Sequence, residues 1–483
     1  MPTRQIYLLS PRHLSAETIA VTFAKTSRSP QSFREIAAEL SDEQSARFHE
    51  KWVIGYGHAS VAEHAVLHLA FENVSRLAIE CIESNRLASY TEKSTRYQTW
   101  GMDEFYIPPE LDSSPLRQNY IETTRFLFRT YQEILPALRA RIEERFPRRE
   151  DETLEAWDRR VRSRYVDAAR FLLPASALAN LGMTVNARAL EHAIRKMLSH
   201  PLEEVRQIGA QVKEVAQQEV PTLLKYAEAS PYLQHLSQQI EAAAEREAAK
   251  MPAMERMVPL QQAHSPQLDW CILVSYDPDA ETRILAAALY RYGDLSYPEA
   301  LRAVRQATET QRRAWAEVLL KGVGRHQPPL REFEHTSYTF DLMMDQGAYF
   351  EFKRHRMMTQ SPQLLTASLG YATPRLIEEA GVAEQYHRAM RKAAETYGEL
   401  AAWNPQVAQY IVPNGFYRRV LAPFNLREAY HFCQLRAAGN AHFSMRRLAL
   451  RIAEEIRRVH PLLASAMQLP AETWQAVDAE SFV

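Results

Sequence analysis

The sequence predicts an α+β fold built twice in tandem, each copy a small sheet accompanied by long helices. Three observations carry this. The hydrophobic period changes in the same order in both halves of the 483 residues. Short matches recur in a common order between the halves, the mark of a duplicated chain. Neither half shows the regular strand–helix alternation of a parallel sheet.

Taken in order, each half opens with an amphipathic helix. Ala16-Glu17-Thr18 begins the first, expected over Ala16 to Lys25, and Ala280-Glu281-Thr282 begins the second, Ala280 to Tyr292, at an offset of 264. A GxGH around His58 and the pair Glu63-His64 return as GVGRH around His326 and Glu334-His335. A strand-like run follows, His64 to Val74 and Thr336 to Met343, then a short helix, an Arg-bearing segment and long helices. Thr130-Tyr131-x-Glu133 recurs as Thr396-Tyr397-x-Glu399 at offset 266, after which the offset falls to 239, with Pro174 matching Pro413 and Asn186-x-Arg188-x3-His192 matching Asn425-x-Arg427-x3-His431. The drop of 27 places extra residues in the first half, in the Arg- and Glu-rich segment Glu143 to Arg164, which reads as a solvated helical insertion. The expected domains are therefore 1–235 and 266–483. The linker 236–265 is Ala- and Glu-rich helix and then prolines at 252 and 259, with Pro266 directly after it and the boundary near 262.

Composition narrows the function classes. With 58 basic and 59 acidic side chains, a general nucleic-acid coat or a polybasic membrane anchor is not expected. Cys81, Cys271 and Cys433 form no CxxC, suit a reducing cytosol and are expected as small core residues. The N-terminus lacks the apolar core of a signal peptide. The uncharged runs Phe171 to Ala187 and Leu400 to Tyr417, broken by Pro, Asn and Gly, read as buried core rather than membrane spans. The 14 glycines form neither GxGxxG nor GxxxxGK[ST], so a nucleotide is not held in a glycine cradle. His58, Glu63, His64 and His68 contain no HExxH, and no metal is expected there.

Two segments carry chemistry. Arg86 to Tyr97 supplies Arg86, Ser89, Glu92, Ser94 and Arg96, and guanidinium forks with hydroxyls are the donors a phosphate wants. The corresponding place in the second half is Lys353-Arg354-His355-Arg356, adjacent cations that repel unless solvated or facing an anion. A solvated polar loop and a surface patch are the alternative readings of these two segments.

The Arg-His-Arg string followed by a Ser/Glu/Ser-x-Arg-Tyr loop resembles the signature of flavin-dependent thymidylate synthases. GHASVAEH before it, FYIPPE after it and TVNARAL further on keep that family's order. The two halves divide the signature. The first has Ser84-Asn85-Arg86 where the family has RHR but keeps Glu92, Ser94, Arg96 and Tyr97. The second keeps Arg354, His355 and Arg356, with Pro362 or Gln363 where Glu is expected and Gly370 at the arginine.

The resemblance implies two family-like domains and an activity in which dUMP is methylated to dTMP with methylenetetrahydrofolate, FAD and NADPH. It implies Ser94 contacting dUMP without acting as nucleophile, Arg96 on its phosphate and Arg436, in LRAAGNAH, stabilising charge on the pyrimidine, with Arg86 and Glu92 also toward the substrate. Lys196 is the nearest first-half cation to the position of Arg436. For FAD it implies His58, Arg86, Asn186, Arg188, His192, Arg354, His355, Arg356, Asn425, Arg427 and His431. Two fused copies imply a homodimer reproducing four domains. A catalytically degenerate flavin- or nucleotide-binding paralogue is the other reading.

Overall fold

The computed structural model describes residues 5–96, 98–250, 269–324 and 326–483. The expected linker is described only to residue 250, where it lies in the helix Pro231–Lys250; its part 251–265, and Tyr97 of the phosphate loop, lie outside the described residues.

In chain order the elements that position the site are α1 (Ala16–Lys25), β1 (Val66–Ser75), α2 (Arg76–Glu83), β2 (Ala88–Glu92), α3 (Arg117–Arg145), α4 (Leu154–Ala169), β3 (Leu178–Asn186), α5 (Ala187–Leu198), β4 (Cys271–Tyr276), α6 (Ala280–Tyr292), β5 (Tyr338–Asp345), α7 (Gln346–Phe352), β6 (Ser361–Pro362), α8 (Ala383–Trp403), β7 (Tyr417–Phe424), α9 (Leu426–Arg436) and α10 (Phe443–Val459). No described helix is long and apolar enough to cross a membrane. The chain packs as two compact units: Met1–Ser94, Glu104–Arg117 and Ser176–Pro252 make one; Thr95–Asp103, Gln118–Ala175 and Ala253–Val483 make the other.

The first unit carries an antiparallel sheet of order β1-β3-β2, with His68 opposite Thr184 and Ser89 opposite the same Thr184 on the other side. Along β3 the side chains of Ala179, Leu181, Met183 and Val185 are buried and alternate with more exposed ones, the two-residue period of a strand with one covered face. The second unit carries the sheet β4-β5-β7-β6, all antiparallel. Its core gathers Phe340 and Leu342 of β5, Val420 and Ala422 of β7, Tyr430 and Phe432 of α9, and Leu448 and Ile452 of α10.

The same local devices shape both copies. Ser75 and Asp345 cap the helices that follow β1 and β5, accepting from Ala78 N at 2.9 Å and Ala348 N at 2.8 Å. Asn186 and Asn425 cap α5 and α9, accepting from Ala189 N at 2.8 Å and Glu428 N at 2.9 Å. Buried Glu17 accepts from Thr222 N and Leu223 N, and Glu281 accepts from Leu463 N, so the first-turn carboxylate of each opening helix ties down a distant backbone segment. In the second unit Pro174 bridges its own repeat counterpart Pro413. Ala175 N donates to Val412 O at 3.0 Å and Asn414 N to Leu173 O at 2.9 Å, a reciprocal pair of the kind a two-fold axis generates.

Several expectations are corrected. Both strands begin two residues later than read, because Ala59–His64 winds as a 3₁₀-helix and β5 opens only at Tyr338. The charged insertion is helical at both ends and not between them: α3 ends at Arg145, a turn carries 146–153, and α4 starts after the Thr153 cap, with Trp157 Nε1 donating back to Phe146 O at 2.9 Å. Nor is it wholly solvated, since Val161 is fully buried. Cys271 and Cys433 are core residues; Cys81 is partly exposed.

Candidate functional site

In the second unit, Asp345 starts α7 and the helix runs out at Lys353, so the next three residues turn. The turn sends His355 inward while Arg354 is exposed and Arg356 partly so. The imidazole is 4% exposed and held at both nitrogens: Arg436 Nε donates to Nε2 at 2.9 Å, and Nδ1 lies 3.1 Å from Glu428 Oε1. An arginine Nε can only donate, so Nε2 is the acceptor and the proton sits on Nδ1, donated to Glu428. Burial first, then the neighbouring Arg436 and His431, hold His355 well below the usual histidine range, so it is neutral. Burial pushes the Glu428 carboxyl up to about 7, against the pull of His431 and Arg427.

Arg436 closes α9. Its Nη1 donates to Glu351 Oε2 at 3.0 Å and its Nη2 to Glu351 O at 3.2 Å, so all three guanidinium nitrogens are used inside the protein. From the other side of the same unit comes Arg96, whose Nε and Nη2 make a bidentate pair with Asp167 at 2.8 and 2.7 Å while Nη1 donates to Asn440 O at 3.0 Å. Between them lies buried Arg170, 4.0 Å from Asp167 Oδ1 and 3.9 Å from Glu351 Oε1, donating to Thr95 Oγ1 at 3.2 Å and Gly347 O at 3.3 Å. Burial pushes the Asp167 carboxyl up, opposed by Arg96 and Arg170, and pushes the Arg170 guanidinium down, opposed by Asp167 and Glu351. The result is one buried chain: Arg96, Asp167, Arg170, Glu351, Arg436, His355, Glu428. Removing a partner from such a chain leaves an uncompensated buried charge, a loss of about 3–5 kcal/mol.

In the first unit, Lys196 of α5 donates to Ser84 Oγ at 2.5 Å and to Asn85 Oδ1 at 2.9 Å. This repeats the α9 arrangement with Lys for Arg436 and Asn for His355. Glu92 is buried 3.1 Å from Arg76, Ser94 follows β2 half-buried, and Arg86 is exposed. His58 is exposed at the mouth of a cleft of about 710 Å³, with Trp52, Arg28 and Glu63 also lining it, and Arg188 pairs with that Glu63. The second unit repeats the pair as Arg427 with Glu334, at 3.1 Å. His192 and His431 are exposed on their helices, the His431 ring 5.4 Å from that of His355.

The structure therefore brings Arg96, Arg436 and His355 into one network of one unit, while Ser94, Glu92, Arg86, His58, Asn186, Arg188 and His192 lie in the other. Sequence reasoning missed Asp167, Arg170, Glu351 and Glu428. One signal was available: Arg170 is the last charge before the uncharged run from Phe171 to Ala187, with Asp167 one helical turn before it, a placement that puts a guanidinium under the core beside an acid partner. For a flavin diphosphate, the outward cations Arg354 and Arg356 beside a neutral, fixed imidazole fit an anion. Asn186 and Asn425 spend their side-chain oxygens on capping and still offer an amide donor.

Compared with known proteins, the chain matches the family model described as thymidylate synthase complementing protein twice, at residues 11–222 and 272–462. A UPF0159 protein of Chlamydia muridarum is 31% identical over 89% of this chain and 82% of its own length, and the UPF0159 protein Ta1429 of Thermoplasma acidophilum is 27% identical over 89% and 90%. A flavin-dependent thymidylate synthase of Clostridium tetani is 28% identical over 44% of this chain and 82% of its own length, the share expected of a single copy.

Proposed function

The chain belongs to the thymidylate synthase complementing protein family, and from that premise we propose that it is a flavin-dependent thymidylate synthase that methylates dUMP to dTMP with methylenetetrahydrofolate and NADPH. The observation that carries this reading is the buried chain joining Arg96, from the first copy, to Arg436, from the second. Each copy's signature is incomplete, and this pairing combines the parts that each retains.

In the proposed site Arg96 binds the nucleotide phosphate and Arg436 holds negative charge on the pyrimidine; Ser94, Glu92 and Arg86 of the first unit are the other proposed substrate-binding residues. Asp167 fixes the plane of the Arg96 fork, and Glu351 and His355 fix that of Arg436, so both guanidiniums are preorganised for an anion. The neutral His355 adds no charge of its own. The FAD-binding residues proposed in the second unit are Arg354 and Arg356, backed by the buried His355, with Asn425, Arg427 and His431; those proposed in the first unit are His58, Arg86, Asn186, Arg188 and His192. When bound, the flavin supplies the redox chemistry. Two copies of the chain form the proposed cytoplasmic assembly of four family-like domains.

One observation favours the second reading, a nucleotide- or flavin-binding paralogue without turnover. The forks of Arg96 and Arg436 are already filled by Asp167, Asn440 O, Glu351 and His355, so a ligand anion has to share them. Tritium release from 5-tritiated dUMP by purified protein, with methylenetetrahydrofolate and NADPH and a recorded flavin absorbance spectrum, separates the two. Release dependent on all components supports the enzyme. Flavin absorbance without release supports the paralogue.

A further inference from the structure

The charged insertion forms one wall of a cleft of about 450 Å³ in the second unit, a size that suits a small ligand. Five arginines line it, Arg96, Arg145, Arg160, Arg164 and Arg446, against three carboxylates, Asp167, Glu379 and Glu480. Most of these cations are held by partly exposed partners: Arg145 by Glu480 at 2.9 Å, Arg160 by Glu152 at 2.7 Å, and Arg446 by Glu472. The exposed Arg145–Glu480 pair contributes little, whereas Glu152 holds Arg160 bidentately through Nε at 2.8 Å and Nη2 at 2.7 Å and does not engage Nη1.

Arg164 is different. It lies over the Phe146 ring, 4.2 Å from the centroid, and among the described residues it has neither a hydrogen bond nor an ion pair. Burial, and then Arg160, Arg145 and Arg446, lower its proton affinity, with Glu480 opposing, so Arg164 is a cation set among other cations of the wall. Its stacked guanidinium keeps its N–H edge for a ligand in the ring plane. Phe443 supplies an apolar surface in the same cleft.

We propose that this cleft is a second anion site that binds a ligand carrying a di- or triphosphate, with the phosphates on Arg164, Arg160 and Arg446. It rests on the thymidylate synthase reading through Arg96, Asp167 and Asn440, which line this cleft and belong to the proposed nucleotide site, so the test leaves all three intact. The wild-type chain is titrated calorimetrically with pyrophosphate and with ATP, and the Arg164→Ala and Arg160→Ala variants, checked for folding by circular dichroism, are titrated in parallel.

Each variant is expected to weaken binding roughly tenfold, the loss of one charge-assisted contact, while dUMP affinity stays within about twofold of wild type. Binding of both probes identifies the phosphate chain as the recognised group. Binding of ATP alone makes the ligand a nucleoside polyphosphate, and binding of pyrophosphate alone makes it an inorganic one. Each of these supports the site. No heat with either probe, affinity unchanged by both folded variants, or an equal loss of dUMP binding in Arg164→Ala overturns it. Because dUMP is titrated separately, failure here leaves the proposed catalytic site untouched.

Discussion

At the scale of single residues, the site is defined by buried charges of opposite sign that face one another. Glu428 shows the cost most directly. Burial holds its carboxyl at about 7 against the ordinary 4.5, so between these pH values the folded state holds a proton that the unfolded state has released. A raised carboxyl contributes stability that is complete below about pH 4.5 and lost as pH rises through about 7. Glu428→Gln mimics the protonated form and lacks that loss. The thermal midpoint of the variant relative to wild type is therefore expected to climb between pH 5 and pH 8, by the equivalent of roughly 3 kcal/mol at most. A constant difference across that range would show that Glu428 does not titrate there. The residues that sequence reasoning missed share one property: Asp167, Arg170, Glu351 and Glu428 are partners, and a partner is identified by what it faces after folding. Arg96 and Arg436 were visible through the family resemblance, and Arg354 and Arg356 because three cations around one histidine are locally improbable. Their carboxylates lie one or two on a helix, as acids do everywhere.

At the scale of elements, local rules read well and tertiary ones did not. The opening helices match the expected limits at both ends, Ala16–Lys25 and Ala280–Tyr292, because Ser15 supplies a cap for the first and apolar periodicity carries both. The insertion was read from its charge run alone, which conceals the turn at 146–153 and the packing of Val161. Close approach is equally invisible in sequence, and two glycines of the second unit separate the cases. A Cβ on Gly415 would stand 2.9 Å from both Met390 Cε and Tyr386 Oη and 3.3 Å from Phe171 Cβ. Gly398, inside α8, meets nothing within 4 Å. Gly415→Ala is expected to lower stability by about 1–3 kcal/mol through overpacking, and Gly398→Ala to raise it by about 0.5–1 kcal/mol through helix propensity. Denaturant midpoints of the two variants check both signs; the same sign in each would contradict the packing described around Phe171.

At the scale of the whole molecule, the duplication was legible in the ordered matches, and the family model fits once to each copy. The exchange of material between packing units was not legible, because it depends on contacts distant in sequence. Residues 95–103 and 118–175 of the first copy pack with the second, and Thr123 bonds Thr396 at 2.9 Å across helices α3 and α8. A fragment of residues 266–483 produced alone is therefore expected to be poorly folded, with the surface that receives α3 and α4 uncovered, and to recover a cooperative melt when produced together with residues 1–265. A sharp, independent melt of the lone fragment would contradict that packing.

The central claim is that one nucleotide site is assembled from Arg96 of the first copy and Arg436 of the second. Calorimetric titration of the intact chain with dUMP tests it most directly. The expected result is one site per chain, abolished alike by Arg96→Ala and by Arg436→Ala in variants that remain folded. Two equivalent sites per chain, or dUMP binding that survives either substitution, would contradict it.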